Sequence, residues 1–169
     1  MRHLAMAAVA VFVLAAPLRA DEEKVPLDKV PKAVLDAAKK RFPKAEVVGA
    51  SKEKDGDKIV YEIELKEGGK TTDVTITPEG VITLIEQEID AKDLPKPVAA
   101  ALEKKYAKAT YKIVEAVYAV KDGKETLEYY EVELTTADKK VIEVQIFADG
   151  KIKAEEEKKP EKKEEKKDK

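Results

Sequence analysis

Between Lys58 and Ile82 the chain alternates apolar and polar side chains with a period of two. Ile59, Tyr61, Ile63 and Leu65 fall on one side of an extended segment, and Glu62 and Glu64 fall on the other. This is the pattern of a strand with one buried face. After Gly68-Gly69, Thr72, Val74 and Ile76 alternate with Asp73 and Thr75, and Pro78-Glu79-Gly80 reverses the chain into Val81-Ile82. Such punctuation predicts an antiparallel meander. The same grammar returns at Tyr130-Glu131-Val132-Glu133-Leu134, then Ile142 to Ile146, then Ala148-Asp149-Gly150 before Ile152. The chain reads as a tandem repeat.

A helical period precedes each set of strands. From Leu27 to Phe42, Val30, Val34, Ala37, Ala38 and Phe42 share one side and Lys32, Asp36, Lys39 and Lys40 the other. Asp28 is placed to cap this helix, Pro31 to sit in its first turn and Pro43 to end it. Leu94, Val98, Ala101, Leu102 and Tyr106 are its counterparts, with Pro95 and Pro97 in the first turn. Segments 45–54 and 110–121 then run into Asp55-Gly56 and Asp122-Gly123, a pair that favours the positive φ angles of a tight hairpin. Each repeat is therefore predicted to be one helix followed by four antiparallel strands, in an α+β chain.

The ends differ from the body. Met1-Arg2-His3, the apolar run Leu4 to Ala16 and Ala20 before Asp21-Glu22-Glu23 have the parts of a secretory signal peptide, cleaved after Ala20. The run is shorter than the roughly 20 residues of a membrane span. No span is expected in the mature chain. From Glu155 the sequence is almost entirely Lys and Glu, which predicts a charged disordered tail. The expected organisation is a signal peptide at 1–20, repeats at 21–89 and 90–154, and a tail at 155–169.

Composition removes several kinds of chemistry. Beyond residue 20 there is no His, Cys, Met, Asn or Trp, the only Ser is Ser51 and the only Arg is Arg41. Ser-His-Asp and Cys-His sites cannot be assembled, and nitrogen and sulfur ligands for zinc are missing. With 33 basic and 35 acidic residues and a net charge of -2, there is no basic excess to attract nucleic acid. Carboxylates remain. Glu62 with Glu64 and Glu131 with Glu133 stand about 7 Å apart along a strand, a spacing acid–base pairs use, but such pairs also line the outward face of any half-exposed strand. The outward-face reading is preferred, no calcium loop accompanies the pairs, and neither cofactor nor metal is assigned. Arg41 could clamp a ligand carboxylate, yet a cation in a last helical turn ordinarily complements the helix dipole.

The helix ending in Phe42-Pro43, the run Tyr61-Glu62-Ile63-Glu64-Leu65, and Asp73-Val74-Thr75-Ile76 with Gly80-Val81-Ile82 resemble the PepSY domain and its beta-lactamase-inhibitor-like relatives. A second copy of the likeness runs through Tyr130 to Leu134, Glu143 to Ile146 and Asp149-Gly150-Lys151-Ile152. The resemblance implies that the two repeats join into one curved sheet with the helices on one face, and that the other, open face contacts another protein. It further implies an exported, non-enzymatic binding module, periplasmic or secreted, that restrains a peptidase or another extracytoplasmic protein in trans. Two other functions are a carrier of a small apolar ligand, held in a cavity lined by Val34, Ile59 and Tyr61, and a self-associating envelope scaffold. The oligomeric state is not fixed by the sequence.

Hairpin register then selects candidate contact residues. Two-residue loops at Asp55-Gly56 and Asp122-Gly123 would pair Lys54 with Asp57 and Lys121 with Lys124. The open face of the first repeat would then carry Val47, Gly49, Ser51, Glu62, Glu64, Asp73 and Thr75, which is mostly polar. In the second it would carry Val114, Ala116, Tyr118, Leu127, Tyr129, Val141 and Phe147 among Glu131, Glu133 and Glu143. Tyr118, Tyr129, Phe147, Leu127, Glu131, Glu133 and Glu143 are therefore the expected partner-binding residues.

Overall fold

Proline decides where each helix begins. A residue followed by proline is pushed to extended backbone; Val30, before Pro31, has φ -72° and ψ 134°, and Leu94, before Pro95, has φ -60° and ψ 139°. The helical spacing that starts at Leu27 is thereby split into a 3-10 turn, Leu27–Lys29, and the helix α1, Lys32–Arg41. Asp28 lies in that turn and does not cap α1, whose N-cap residue is Pro31 with no side-chain bond. The second helix repeats the arrangement, with a 3-10 turn at Ala91–Asp93 and α2 at Lys96–Lys105. Phe42 and Tyr106 close the two helices by donating their amides to the carbonyls of Ala38 and Leu102.

The structure, a computed structural model, describes residues 23–55 and 57–158. The expected signal peptide, its cleavage point and residues 159–169 lie outside the described residues. Nine strands form one antiparallel sheet in sequence order. They are β1 (Glu23–Lys24), β2 (Glu46–Asp55), β3 (Lys58–Glu67), β4 (Lys70–Ile76), β5 (Ile82–Glu88), β6 (Thr110–Lys121), β7 (Lys124–Thr135), β8 (Val141–Ile146) and β9 (Ile152–Lys158). α1 thus precedes β2 to β5 and α2 precedes β6 to β9, while the short β1 adds an edge that no period in the sequence announces. The expected tail start at 155 is corrected, because β9 runs on to Lys158. Its charged side chains suit an edge strand, and several are anchored: Glu155 accepts hydrogen bonds from Lys105 and Tyr106 of α2, and Glu157 accepts one from Lys140.

The register puts both cores on one side of the sheet. α1 contributes Val34 and Ala38 to a cluster with Ile63, Leu65, Val74, Ile76 and Ile85. α2 contributes Val98 and Leu102 to a second, with Val114, Val132, Leu134, Val144 and Ile146. Ile85 is directly opposite Tyr118, Gln87 opposite Ala116, and residues two apart on a strand share a face. Tyr118, Ala116 and Val114 therefore carry the first core side into the second, and Tyr118 and Val120 pack against the first cluster. Val34, at 0% exposure, is sealed in this core, whereas Ile59 is 40% exposed.

Arg41 does not simply face the end of its own helix. Its Nε and Nη2 donate to both carboxylate oxygens of Glu125 on β7, at 2.7 and 3.0 Å, tying the end of α1 to the second half of the sheet. These hydrogen bonds are the main reason the Glu125 carboxyl lies below the ordinary carboxylate range; partial burial opposes them and the Arg41 charge adds to them. A depressed folded value means the pair stabilises the protein above the unfolded pKa, about 4.3 for Glu, and loses that contribution as pH falls through the lower folded value. Being mostly exposed, the pair is worth less than about 1 kcal/mol. Glu125→Gln should lower the melting temperature by a degree or two at pH 7. Thermal melts of both proteins between pH 7 and pH 2 should converge at the acid end, and a constant gap would show that the ion pair is not its source.

Candidate functional site

Residues directly opposite in an antiparallel ladder project to the same face, so the register assigns every side chain. The side without helices carries three rows of three carboxylates. Glu64, Asp73 and Glu86 face one another across β3, β4 and β5. Glu88, Glu115 and Glu131 do so across β5, β6 and β7. Glu133, Glu143 and Glu156 complete the series across β7, β8 and β9. Like charges directly opposite each other destabilise a sheet unless neighbouring groups offset them.

Local partners hold the rows in place. Glu86 and Glu131 are only 7% and 8% exposed. Gln145 Nε2 donates to Glu131 at 2.9 Å, and the Thr71 amide donates to Glu88 at 2.9 Å. At the β9 end Lys158 bridges Glu133 and Glu143, and Lys112 approaches Glu133 at 3.7 Å. Tyr129 lies on the same side, opposite Val117, with the Lys153 ammonium 3.6 Å from its ring centre. Burial pushes the Lys153 ammonium below its ordinary value, against the charges of Glu128 and Glu131. A groove of about 830 Å³ crosses this side, lined by Glu62, Glu64, Asp73, Glu88 and Glu115 with the apolar Val48 and Ile113. Val48 and Ile113 are 40% and 44% exposed. A smaller groove of about 150 Å³ continues it past Glu131 and Glu133 to Glu143 and Lys158.

The seven expected contact residues do not all share this face. Tyr129, Glu131, Glu133 and Glu143 are on it. Tyr118 is on the helix side, and Leu127, 36% exposed, is directly opposite Tyr118. Phe147, 39% exposed, sits in the turn after β8, its amide donating to the Lys151 carbonyl. The cause is a bulge. Lys121 pairs with Lys124, as the loop chemistry requires, with positive φ at Asp122 and Gly123. Pairing then passes from Tyr118–Leu127 to Val117–Tyr129, leaving Glu128 as an extra residue that reverses the faces from there to Ile113–Glu133, after which a second bulge at Lys112 restores them at Tyr111–Leu134. Val114 and Ala116 consequently point to the helices and not to the open side.

In the first half the hairpin closes at Asp55–Lys58, two residues from the expected pairing, so Gly49, Ser51, Glu62 and Glu64 keep their faces. Val47 does not, because Val48 is extra there and Val47 joins the first core. Sequence reasoning missed Glu86, Glu88, Glu115 and Glu156, the last because it was assigned to the tail. The alternation Glu86-Gln87-Glu88 was a signal of the same kind as Glu62-Ile63-Glu64.

Comparison with known proteins gives this arrangement a family. Residues 31–79 match the model described as the peptidase propeptide and YPEB domain, PepSY. Residues 81–154 match the PepSY-like, beta-lactamase-inhibitor-like model. No curated protein matches. Among solved structures, a DUF2874 family protein from Bacteroides uniformis aligns with TM-score 0.59 at 18% identity, covering 75% of this chain and 88% of that one. A BLIP-like protein from Bacteroides fragilis aligns with TM-score 0.53 at 19% identity, covering 75% and 84%. A candidate periplasmic protein from Bacteroides eggerthii aligns with TM-score 0.58 at 16% identity, covering 76% and 88%. At these identities the three structures speak for the fold, and the two family models, one on each side of residue 80, match residues 31–154 to PepSY and PepSY-like sequence.

Proposed function

We propose that this chain is an exported, non-enzymatic binding module built from two PepSY-like repeats, and that it engages an extracytoplasmic protein through the helix-free side of its sheet. Tyr129, Glu131, Glu133 and Glu143 belong to that contact surface. The observation that carries this reading is the contrast between the two sides: one is closed by α1 and α2 over apolar clusters, and the other holds a long groove over which, among the described residues, neither α1 nor α2 packs. The PepSY model is named for peptidase propeptides, and the Bacteroides fragilis neighbour is called BLIP-like; both names support a partner that is a protein, and a peptidase restrained in trans is the specific form proposed. The signal-like start and the candidate periplasmic neighbour support a location outside the cytoplasm.

Val48→Arg with Ile113→Arg places two bulky side chains in the groove at positions already exposed, so stability should change little. Capture of the partner from an extracytoplasmic extract, and restraint of its peptidase activity on a fluorogenic substrate, should both be lost. Lys40→Glu, on the outer side of α1, should leave both intact. Undiminished capture by the groove variant would overturn the assignment of this face.

A further inference from the structure

Resting on the open side as the contact surface, we infer that its partner presents a lysine- or arginine-rich polypeptide segment lying diagonally across the sheet. The three carboxylate rows are staggered in one direction. Pairing steps from Glu86 to Glu88 along β5 and from Glu131 to Glu133 along β7, and these two strands run the same way. The rows therefore form a band from β3 to β9. With strands about 4.8 Å apart and about 7 Å between alternate residues, the band is about 30 Å long. That is the length of about 20 helical residues or about nine extended ones. The negative sites are spread along the band: among the described residues no three acidic groups converge to hold one metal ion. A small cation could answer one row at most, whereas a cationic chain segment can answer all three.

Charge is also segregated between the two sides. The chain as a whole is nearly neutral, at -2, yet the nine row carboxylates outnumber the open-side lysines Lys24, Lys66, Lys112, Lys153 and Lys158, while α1 and α2 carry Lys32, Lys39, Lys40, Lys96, Lys104 and Lys105 against Asp36 and Glu103. A partner approaching the groove meets a field that attracts cations and orients them. Val48 and Ile113 beside Glu64 and Glu115 add apolar anchoring points, so the segment that fits carries apolar residues between its basic ones. Lys158 bridges Glu133 and Glu143 at the β9 end of the band, the kind of contact an ammonium makes with two carboxylates facing each other across neighbouring strands.

The test uses the full mature chain and a fluorescent peptide of about 20 residues that alternates lysine with leucine and alanine, read by anisotropy. Binding is expected, weakening steeply as salt rises. The variant Glu64→Gln, Asp73→Asn, Glu88→Gln, Glu115→Gln should raise the Kd at least about tenfold while its melting temperature stays level or rises, since opposed like charges have been removed. A variant neutralising Asp28, Asp36, Glu103 and Asp138, away from the band, should bind as the parent does. Equal weakening by both variants, no binding at low salt, or self-association of the chain in place of peptide binding overturns the inference. Should the four-site variant lose its fold, Glu88→Gln with Glu115→Gln alone must still weaken binding by several-fold. The two readings also separate. If partner capture from extract is abolished by Val48→Arg with Ile113→Arg but is indifferent to the neutralised band and to salt, the open side stands as the contact surface and the cationic segment falls.

Discussion

Gly150→Ala is expected to unfold a large fraction of the protein, and Gly80→Ala to do nearly the same. Each glycine closes a turn with a positive φ, +85° at Gly150 and +87° at Gly80, a conformation that costs an alanine about 1 kcal/mol. The greater penalty comes from the helices. A Cβ at Gly150 would stand 2.6 Å from the Pro97 carbonyl oxygen in the first turn of α2, and one at Gly80 would stand 2.8 Å from the Ala33 oxygen in the first turn of α1. Those neighbours are backbone atoms of rigid elements, so the clash cannot be relieved by turning a side chain. Either the turn or the helix must move off the sheet, loosening Val98 or Val34, which are fully buried. A loss of about 3 kcal/mol or more is expected in each case, a large share of the stability of a domain this size. Gly69→Ala is the control: its φ is also positive, +84°, but nothing lies within 4 Å of the added Cβ. It should cost only the backbone strain. Urea denaturation of the three variants checks the ranking, and equal losses at Gly69 and Gly150 would show that helix contact is not the reason.

These two glycines were legible in the sequence as turn residues, but their helix contacts were not. Period-two runs and Asp-Gly, Glu-Gly and Asp-Gly-Lys punctuation marked strands β3, β4, β7 and β8, because each strand has one buried and one open face and each turn needs a special backbone conformation. The helices were visible by their spacing, although the residues before Pro31 and Pro95 delay their starts to Lys32 and Lys96. What failed was face assignment over distance. A bulge leaves no mark in an alternation rule: the sequence Leu127-Glu128-Tyr129 alternates smoothly, yet Glu128 is extra, and Tyr118 moves from the proposed contact surface to the packed side. The acidic band was invisible for a related reason. Each of its rows joins residues from three strands, so it exists only once the register of all of them is known. The Arg41–Glu125 pair, 84 residues apart, belongs to the same class of long-range fact.

The fragment Val25 to Ile89, cut at the boundary between the two halves, should fail to fold on its own. The cut removes β6, which pairs with β5 from Leu84–Ala119 to Glu88–Glu115 and would leave the donors and acceptors of β5 as an open edge. It also removes Tyr118 and Val120, which pack against the core of the first half, and Glu125, which holds Arg41. What remains is about 65 residues with one ten-residue helix, a size at which one core barely offsets chain entropy. Ile85 would lose the side chain directly opposite it while staying in the core, and the cost of exposing such residues is a few kcal/mol in total. Circular dichroism and a denaturant titration of the fragment should show little cooperative transition, against a single transition for the parent. Adding the complementary segment 90–158 in excess should restore strand signal by re-forming the β5–β6 ladder. If the fragment alone instead melts as sharply as the parent, the two halves are independent domains that happen to share an edge, and the open side of the sheet is two surfaces that can move relative to each other.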